Sequence, residues 1–168
     1  MKILFRRSNS NDINEIYDCH KECFEQSDHW YKSAILQFID SSFVIEIVET
    51  KKIIGIMLQG TIIPCDPSDD FIPLNDDGIK YKELNKHINI NTGITMLCIH
   101  PLYRNKGLAK KLIELHSNDY KNETVCLSTR KSNNAYNLYL KMGYNHIGTI
   151  KDKYYFPTED CYFLVKSL

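Results

Sequence analysis

The stretch from Cys98 to His116, CIHPLYRNKGLAKKLIELH, constrains the fold of this chain more than any other. A strand-like apolar run stops at a proline, a short basic turn with one glycine follows, and a helical pattern begins at once. Backbone amides at a helix start attract negative charge, and Gly107 would let a ligand approach the backbone closely. The segment Arg104–Ala109 therefore predicts a phosphate site. The alternative is a solvated basic turn before a core helix.

Length and charge limit the classes of protein to consider. At 168 residues the chain is most simply one domain, residues 1–168. Its 21 basic and 21 acidic residues cancel, which gives no reason to expect a nucleic acid or a membrane as partner. There is no apolar run of the roughly 18 residues that suggest a transmembrane span, and the N-terminus lacks the pattern of a secretory signal. We therefore expect a cytoplasmic protein.

Helical and strand periods alternate along the chain and predict a mixed α/β domain. The first half contains a strand at KILFRR, a helix at NDINEIYDCHKECF capped by Asn11 or Asp12, a second helix over SDHWYKSAILQFID capped by Ser27 or Asp28, and a hairpin over FVIEIVETKKIIGIMLQGTII. The second half contains a buried strand at GITMLCIH, the helix after the basic turn, a strand at ETVCLST, a short helix at NNAYNLYLKMG, and two final strands at YNHIGTIKDKYYF and DCYFLVKSL. Between the halves, residues 64–92 show no clear period and predict an inserted loop.

The chain has six cysteines, at positions 19, 23, 65, 98, 126 and 161. There is no Cys-x-x-Cys pair and no zinc-ligand spacing, and Cys19 and Cys23 on one helix face have no matching second pair. Three of the others lie in apolar strand patterns, where a free thiol behaves as a small hydrophobe. We therefore expect reduced structural thiols rather than a metal site or a disulfide.

Two segments together resemble the paired acetyl-CoA motifs of the GNAT superfamily of N-acetyltransferases. LCIHPLYRNKGLAKKLIELH is similar to V-x-P-x-Y-R-x-x-G-[I/L]-[G/A], and SNNAYNLYLKMGY is similar to N-x-x-A-x-x-L-Y-x-K-x-G-[F/Y], about 25 residues further on. The resemblance covers nearly the whole chain, because the predicted order of strands and helices agrees with that fold. It implies a single mixed, mostly antiparallel sheet, splayed at the acetyl-CoA site and flanked by helices.

The resemblance also implies which residues bind acetyl-CoA, the acyl donor. Backbone groups of one strand segment would pair with the pantetheine arm: Leu97, Cys98 and Ile99. The basic turn and the start of its helix would wrap the pyrophosphate: Arg104, Asn105, Lys106, Gly107, Leu108, Ala109 and Lys110. In the second motif Ser132 stands where the family has its asparagine, so Ser132 or Asn133 would contact the cofactor.

Tyr139 occupies the place where the family commonly has a tyrosine near the thioester sulfur. The resemblance implies that it protonates the departing CoA thiolate, and the alternative is an aromatic side chain packed on an apolar helix face. The base is harder to assign. The strand position that often carries glutamate holds Thr95, and the next strand offers only Leu127 or Ser128. His100 is expected to be an imidazole on the loop surface.

The tail KDKYYFPTEDCYFLVKSL and the helical segment ECFEQSDHWYKSAIL are similar to parts of protein N-terminal acetyltransferases. That similarity makes Phe24, Glu25, Tyr154 and Tyr155 candidates for binding a peptide N-terminus, whose α-amine would be the acceptor. The two tyrosines could equally reflect the β-propensity of an edge strand. Two other functions stay open: acetylation of a small amine or a lysine side chain, and a degenerate domain that binds acyl-CoA without turnover.

Overall fold

The computed structural model describes residues 1–60, 71–73, 90–155 and 158–168. The chain divides into two compact units: an N-terminal unit of residues 1–60 and 94–116, and a C-terminal unit of residues 61–93 and 117–168. The strands are β1 (Ile3–Arg7), β2 (Phe43–Ile47), β3 (Ile53–Gly60), β4 (Phe71–Pro73), β5 (Ile90–Ile99), β6 (Thr124–Arg130), β7 (Asn145–Tyr155) and β8 (Thr158–Ser167). The helices are α1 (Ile13–Cys23), α2 (Lys32–Leu36), α3 (Leu108–Asp119) and α4 (Ala135–Lys141).

The N-terminal unit has the strand order β1-β2-β3-β5. β1, β2 and β3 are antiparallel, with Ile3 opposite Ile47 and Val44 opposite Ile56. Because β2 is buried along its whole length, its sequence FVIEI is nearly continuous in apolar residues rather than alternating. α1 buries Ile16, Cys19 and His20, which lie on one face at helical spacing, and packs into the core formed with β2, β3 and β5.

The C-terminal unit has the strand order β6-β8-β7-β4, and each of these neighbouring pairs is antiparallel. β6 and β8 align Cys126 with Val165 and Leu127 with Leu164. These side chains are buried, together with Phe163 and Ile150, and they form the apolar interior of this unit. The predicted α/β class, with a mostly antiparallel sheet flanked by helices, is confirmed.

The second predicted helix is wrong in extent. Only Lys32–Leu36 is α-helical, and the flanking residues form short 3₁₀ turns at Gln26–Asp28 and Ile39–Ser41. The backbone between the first turn and α2 is extended, because the Trp30 N–H donates a hydrogen bond to Nε2 of His20 at 2.8 Å. This contact with α1 competes with helix formation and cannot be read from local periodicity.

The predicted cap of α1 is also only partly right. Asp12 stands at the N-cap of α1 but makes no capping bond to that helix. Its carboxylate instead accepts hydrogen bonds from the guanidinium of Arg6 and from the backbone N–H of Asn9. The Arg6 guanidinium lowers the pKa of Asp12 below its usual range.

Within the predicted insert of residues 64–92, the described residues are not loop. Phe71–Pro73 forms β4, with Phe71 opposite Ile150 of β7, and residues 90–92 already belong to β5. The rest of the insert lies outside the described residues. None of the helices in the described ranges combines the length and the apolar character needed to cross a bilayer.

Candidate active site

The turn between β5 and α3 has an unusual backbone. Two of its residues adopt positive φ angles, Asn105 at 61° and Gly107 at 74°. Left-handed residues of this kind are uncommon outside glycine and asparagine, and here the sequence supplies both types. A turn that mixes such residues with ordinary ones curls its backbone N–H groups toward one concave side, an arrangement that suits anions.

The start of α3 leaves its amides open. The first hydrogen bond of the helix runs from the Lys111 N–H to the Gly107 carbonyl at 3.1 Å. The N–H groups of Leu108, Ala109 and Lys110 precede it and have no partner within the helix. A serine or aspartate at the first position would satisfy one of these amides, but Gly107 has no side chain to do so. A Cβ added at Gly107 would have no described atom within 4 Å, so the space beside it is open.

Positive charge surrounds these amides. The stretch from Leu102 to Lys111 contains Arg104 and three lysines and no acidic residue. Two of the lysines, Lys110 and Lys111, have their ammonium nitrogens 3.9 and 3.5 Å from the Glu114 carboxylate, one turn further along α3. The third, Lys106, lies 5.3 Å from the centre of the Tyr103 ring. Backbone geometry and charge together make this turn a candidate anion site.

Arg104 fixes the turn to the rest of the N-terminal unit. Its Nε donates to the carbonyl of Ile99 at 2.9 Å, at the end of β5. Its Nη2 donates to the carbonyl of Cys23 at 3.2 Å, at the end of α1. The guanidinium therefore positions the turn, and a direct contact between Arg104 and a phosphate remains a prediction.

The strand segment predicted to pair with pantetheine is well buried. Cys98 and Ile99 are 6% and 8% exposed, and Leu97 is half-buried. β3 is the neighbour of β5 in the N-terminal unit, and the His100 N–H just beyond β5 donates to the Ile54 carbonyl at 2.9 Å. The role of these three residues in cofactor binding remains a prediction.

Ser132 and Asn133 of the second motif segment make polar contacts within the C-terminal unit. The Ser132 backbone N–H and hydroxyl both bond to the carboxylate of Glu159, the hydroxyl at 3.0 Å. Asn133, one residue before the N-cap Asn134, accepts a hydrogen bond from the Ala135 N–H at 2.9 Å, which forms a turn at the start of α4. At the other end of α4, Gly143 has a φ of 86°, which is typical of a glycine that ends a helix.

Tyr139 is 6% exposed, and its ring makes an edge contact with Tyr144 at 5.8 Å between ring centres. Tyr139 is therefore a packed aromatic side chain, and this packing is compatible with the predicted proton transfer. Tyr144 was not predicted as a site residue. Its hydroxyl is buried without a hydrogen-bond partner among the described residues, and burial raises the pKa of that phenol well above its ordinary value.

Neither strand position at which a catalytic base was considered carries a carboxylate or an imidazole. Thr95 has a buried hydroxyl with no hydrogen-bond partner in the described ranges, and Leu127 is 2% exposed. The prediction that His100 is a surface imidazole is wrong, because its side chain is buried. Its Nδ1 accepts from the Leu102 N–H at 3.2 Å, which leaves the proton on Nε2, and Nε2 contacts the carboxylate of Glu22 on α1. The Nε2 contact holds α1 to the end of β5, and the Nδ1 contact fixes the turn that follows β5.

On the predicted acceptor side, Phe24 ends α1, with its N–H bonded to the His20 carbonyl at 3.2 Å. Its half-buried ring lies 4.9 Å from the imidazole of His20, and Glu25 beside it is exposed. His20 itself was missed by the sequence analysis. Because its Nε2 accepts a hydrogen bond from the Trp30 N–H, the proton of the neutral ring is on Nδ1, and Nδ1 has no partner among the described residues. Burial lowers the pKa of His20 to about 4.

Tyr154 and Tyr155 end β7, opposite Glu159 and Thr158 of β8. Their side chains lie outside the part of the chain that the structure describes. The structure therefore leaves their predicted contact with a peptide as a prediction.

Comparison with known proteins agrees with the two motifs. Residues 82–156 match the family described as Acetyltransferase (GNAT) domain. No curated protein sequence matches the chain. Solved structures do match: Arabidopsis thaliana NAA60 in complex with acetyl-CoA has 17% identity and a TM-score of 0.76, over 99% of this chain and 100% of that one.

Two further structures show the breadth of the likeness. The ribosomal-protein-S18-alanine N-acetyltransferase of Escherichia coli has 14% identity and a TM-score of 0.72, over 99% of this chain and 94% of that one. Arylalkylamine N-acetyltransferase 2 of Aedes aegypti has 15% identity and a TM-score of 0.69, over 99% of both chains. At such identities the likeness establishes the fold. The chain has the GNAT acetyltransferase fold, and the resemblance drawn from its two motifs is confirmed at that level.

Proposed function

We propose that the protein is an N-acetyltransferase that moves an acetyl group from acetyl-CoA to the α-amine of a peptide or protein N-terminus. The observation that carries the first half of this proposal is the turn Arg104–Lys110. It combines two left-handed residues, three helix amides without partners in the helix, a cationic surround and open space at Gly107. That combination fits a diphosphate, and in a GNAT fold the diphosphate is that of CoA.

The reaction needs little from the enzyme beyond positioning and one proton. The amine nitrogen attacks the thioester carbonyl, the C–S bond breaks, and the CoA thiolate takes up a proton. Tyr139 is the proposed donor of that proton, and the amine loses one to solvent or to a water chain. A phenol suits this role, since its ordinary pKa of about 10 lies close to that of the leaving thiol.

The choice of acceptor follows from the positions that lack a base. At pH 7.4 about a quarter of an α-amine of pKa 7.8 is already neutral, against about 0.1% of a lysine amine of pKa 10.4. Thr95 and Leu127 offer no carboxylate or imidazole, and both nitrogens of His100 are occupied. An α-amine can react without a strong base, whereas a lysine side chain cannot do so easily.

The fold comparisons support acetyl transfer to an amine more than any one acceptor. The S18-alanine enzyme is named for acetylation of a ribosomal protein, but a structure named for arylalkylamine acetylation matches over the same share of this chain. The proposal that the acceptor is a peptide rests instead on the residues predicted to bind it. Phe24 is held at the end of α1 by the His20 carbonyl, and Glu25 is exposed beside it, available to face a cationic N-terminus.

The test is a matched set of peptides, each with one internal lysine and either a free or a blocked N-terminus, together with an arylalkylamine. CoA release is measured by thiol detection and the acetylated position by mass spectrometry. We expect acetylation of the free N-termini only. Equal acetylation of blocked and free peptides would favour the lysine alternative, and reaction of the arylalkylamine alone would favour the small-amine one.

A pH profile separates the acceptors a second time. For an α-amine of pKa near 7.8, kcat/KM should rise with pH and level off above about pH 8.5, because most of the amine is then neutral. For a lysine the rise should continue beyond pH 9. Acetyl-CoA binding without release of CoA thiol for any amine at any pH would instead indicate a degenerate binding domain.

A further inference from the structure

Three cysteine side chains converge in the N-terminal unit, and the functions above use none of their sulfur atoms; the predicted role of Cys98 in cofactor binding involves only its backbone. The sulfur atoms of Cys19, Cys23 and Cys98, here called the thiol cluster, all lie within 4.8 Å of one another. Cys19 and Cys23 are one turn apart on the same face of α1, and Cys98 comes from β5. All three are free thiols. Sequence spacing gave no sign of this arrangement, because the third sulfur comes from a distant strand.

The cluster is buried but can be reached from solvent. Cys19 and Cys98 are 2% and 6% exposed and belong to the core of the unit. Cys23, in the last turn of α1, is half-buried. Two of the sulfurs are therefore held rigidly by packing, while the third stands where a small ion could enter. Isolated buried thiols, such as Cys126 on β6, lack this convergence.

A cationic side chain, Arg104, lies at the Cys23 end of the thiol cluster. Glu22 is the acidic group next to Cys23 in sequence, and its carboxylate contacts Nε2 of His100 and lies 3.6 Å from the ammonium nitrogen of Lys52. Arg104 additionally donates to the Cys23 carbonyl, which holds this end of α1 in place.

The spacing of the sulfurs suits a metal ion. A metal–sulfur bond of about 2.3 Å requires neighbouring sulfurs at roughly 3.8–4.0 Å in tetrahedral or trigonal geometry. The observed limit of 4.8 Å is close enough that small rotations of the side chains would complete such a site. Soft thiolate ligands select soft or borderline ions, chiefly Zn²⁺ and Cu⁺, over Mg²⁺ or Ca²⁺.

We propose that Cys19, Cys23 and Cys98 bind one thiophilic metal ion, Zn²⁺ or Cu⁺, through three thiolate sulfurs. Binding displaces the remaining thiol protons to solvent and forms three metal–sulfur bonds, with no change in oxidation state. The complex of three thiolates with Zn²⁺ carries one negative charge, which Arg104 is placed to offset. Three-coordinate Cu⁺ would use the sulfurs alone, while Zn²⁺ would take a water on the open side of Cys23. The ion would join α1 to β5.

The experiment is a titration of the reduced full-length chain with Zn²⁺ in the presence of a competing chelator, and separately with Cu⁺ under anaerobic conditions. We expect one ion per chain. The single variants Cys19→Ser, Cys23→Ser and Cys98→Ser should each weaken binding at least about 100-fold, since even changes in the outer shell of a metal site cost 10–100-fold. Cys126→Ser removes a buried thiol of the C-terminal unit and should leave the affinity unchanged.

Cys23→Ser is the deciding variant, because a half-buried position at a helix end tolerates serine even where Cys98→Ser unfolds the chain. As a second readout, bound metal should slow alkylation of Cys23 in the unmodified chain at least about tenfold, as followed by mass spectrometry. Two results would overturn the proposal: binding of neither ion at a one-to-one ratio, or binding that Cys23→Ser leaves intact. A disulfide within the cluster that forms equally fast with and without zinc would show that these sulfurs pair with each other instead.

Discussion

Helix α3 begins at Leu108, directly after a glycine, whereas α4 begins at Ala135, after two residues, Ser132 and Asn133, whose side chains are hydrogen-bonded within the protein. In the first segment, the amides of Leu108, Ala109 and Lys110 have no partner within α3. In the second, Asn133 accepts from the Ala135 N–H, and Ser132 is bonded to Glu159. The two motifs thus differ in the groups that a ligand can reach. In the first, backbone N–H groups can bind a ligand. In the second, the polar side chains are hydrogen-bonded within the protein, and Tyr139 is the residue proposed to act on the substrate.

This difference follows from residue type. A helix start with serine or asparagine satisfies its own amides, and a helix start with glycine does not. The same reasoning explains why glycine is needed twice for different purposes. Gly107 and Gly143 both have positive φ angles, but the first precedes α3 and faces open space, while the second follows α4, with Lys166 as its neighbour.

The largest effect is expected for Gly107→Glu, which should abolish stabilisation of the protein by acetyl-CoA. The carboxylate would stand in front of the free amides and repel the diphosphate. At a concentration one hundred times its Kd, acetyl-CoA should stabilise the unmodified protein by about 2.7 kcal/mol, and the variant by nothing measurable. Thermal unfolding with and without the cofactor measures the difference.

Two controls separate charge from backbone strain. Gly107→Ala adds only the strain of a left-handed alanine, which lowers the free energy of unfolding by about 1–2 kcal/mol, and this variant should keep part of its stabilisation by acetyl-CoA. Gly143→Ala introduces the same strain at α4 and should keep the full stabilisation by acetyl-CoA. If Gly107→Glu responds to acetyl-CoA as strongly as Gly143→Ala, the phosphate site lies elsewhere.

The next largest effect is expected for Tyr139→Phe, which tests whether the Tyr139 hydroxyl donates a proton in the reaction. Loss of one acid–base group lowers turnover by something like 100-fold, and the affinity for acetyl-CoA should not change. The control is Tyr144→Phe, which removes a hydroxyl from the ring in edge contact with Tyr139. Steady-state kcat and the thermal shift with acetyl-CoA give the two quantities. A Tyr139→Phe variant with full kcat would reduce this residue to packing.

A smaller effect is expected for Ser132→Ala, which tests whether the polar groups of the second segment stabilise the fold rather than bind the cofactor. Loss of the hydroxyl bond to Glu159 should lower the free energy of unfolding by about 1 kcal/mol. Ser132 was predicted to contact the cofactor, and it can do so only in competition with Glu159. We therefore expect the affinity for acetyl-CoA to fall less than threefold. A tenfold or greater loss in isothermal titration would make Ser132 a cofactor residue after all.

The interaction of Ser132 with Glu159 also predicts a pH dependence. Hydrogen bonds from Ser132, and then the charge of Arg130, lower the pKa of Glu159 below its ordinary value near 4.5. The folded state therefore binds this proton less readily than the unfolded state, and the stabilisation is present above pH 4.5 and lost as the pH falls through the folded pKa. Glu159→Gln should accordingly be less stable than the unmodified protein at pH 6, with the gap closing in acid. A gap that persists unchanged at pH 3 would assign the effect to packing.

The parts of the molecule that could be predicted from sequence are those set by local pattern. The β2–β3 hairpin, α3 and α4 all follow from period, turn residues and helix punctuation within a short stretch. The parts that were missed depend on partners far apart in the chain. His100 is buried because Glu22 of α1 meets it, and α2 is short because the Trp30 N–H bonds to His20. The thiol cluster belongs to the same class, since Cys98 meets Cys19 and Cys23 only after folding.

The smallest effect is expected for Tyr144→Phe, and its sign is the informative part. Tyr144 is 2% exposed, and its hydroxyl has no hydrogen-bond partner among the described residues. A buried hydroxyl without a partner costs about 1–3 kcal/mol, and phenylalanine keeps the ring and its edge contact with Tyr139. The variant should thus be more stable, by about 1 kcal/mol in urea unfolding, with kcat unchanged. A loss of stability would mean that the hydroxyl is satisfied in solution. A loss of kcat without a loss of stability would place Tyr144 beside Tyr139 in the proton transfer, and the second segment would then offer two phenols rather than one.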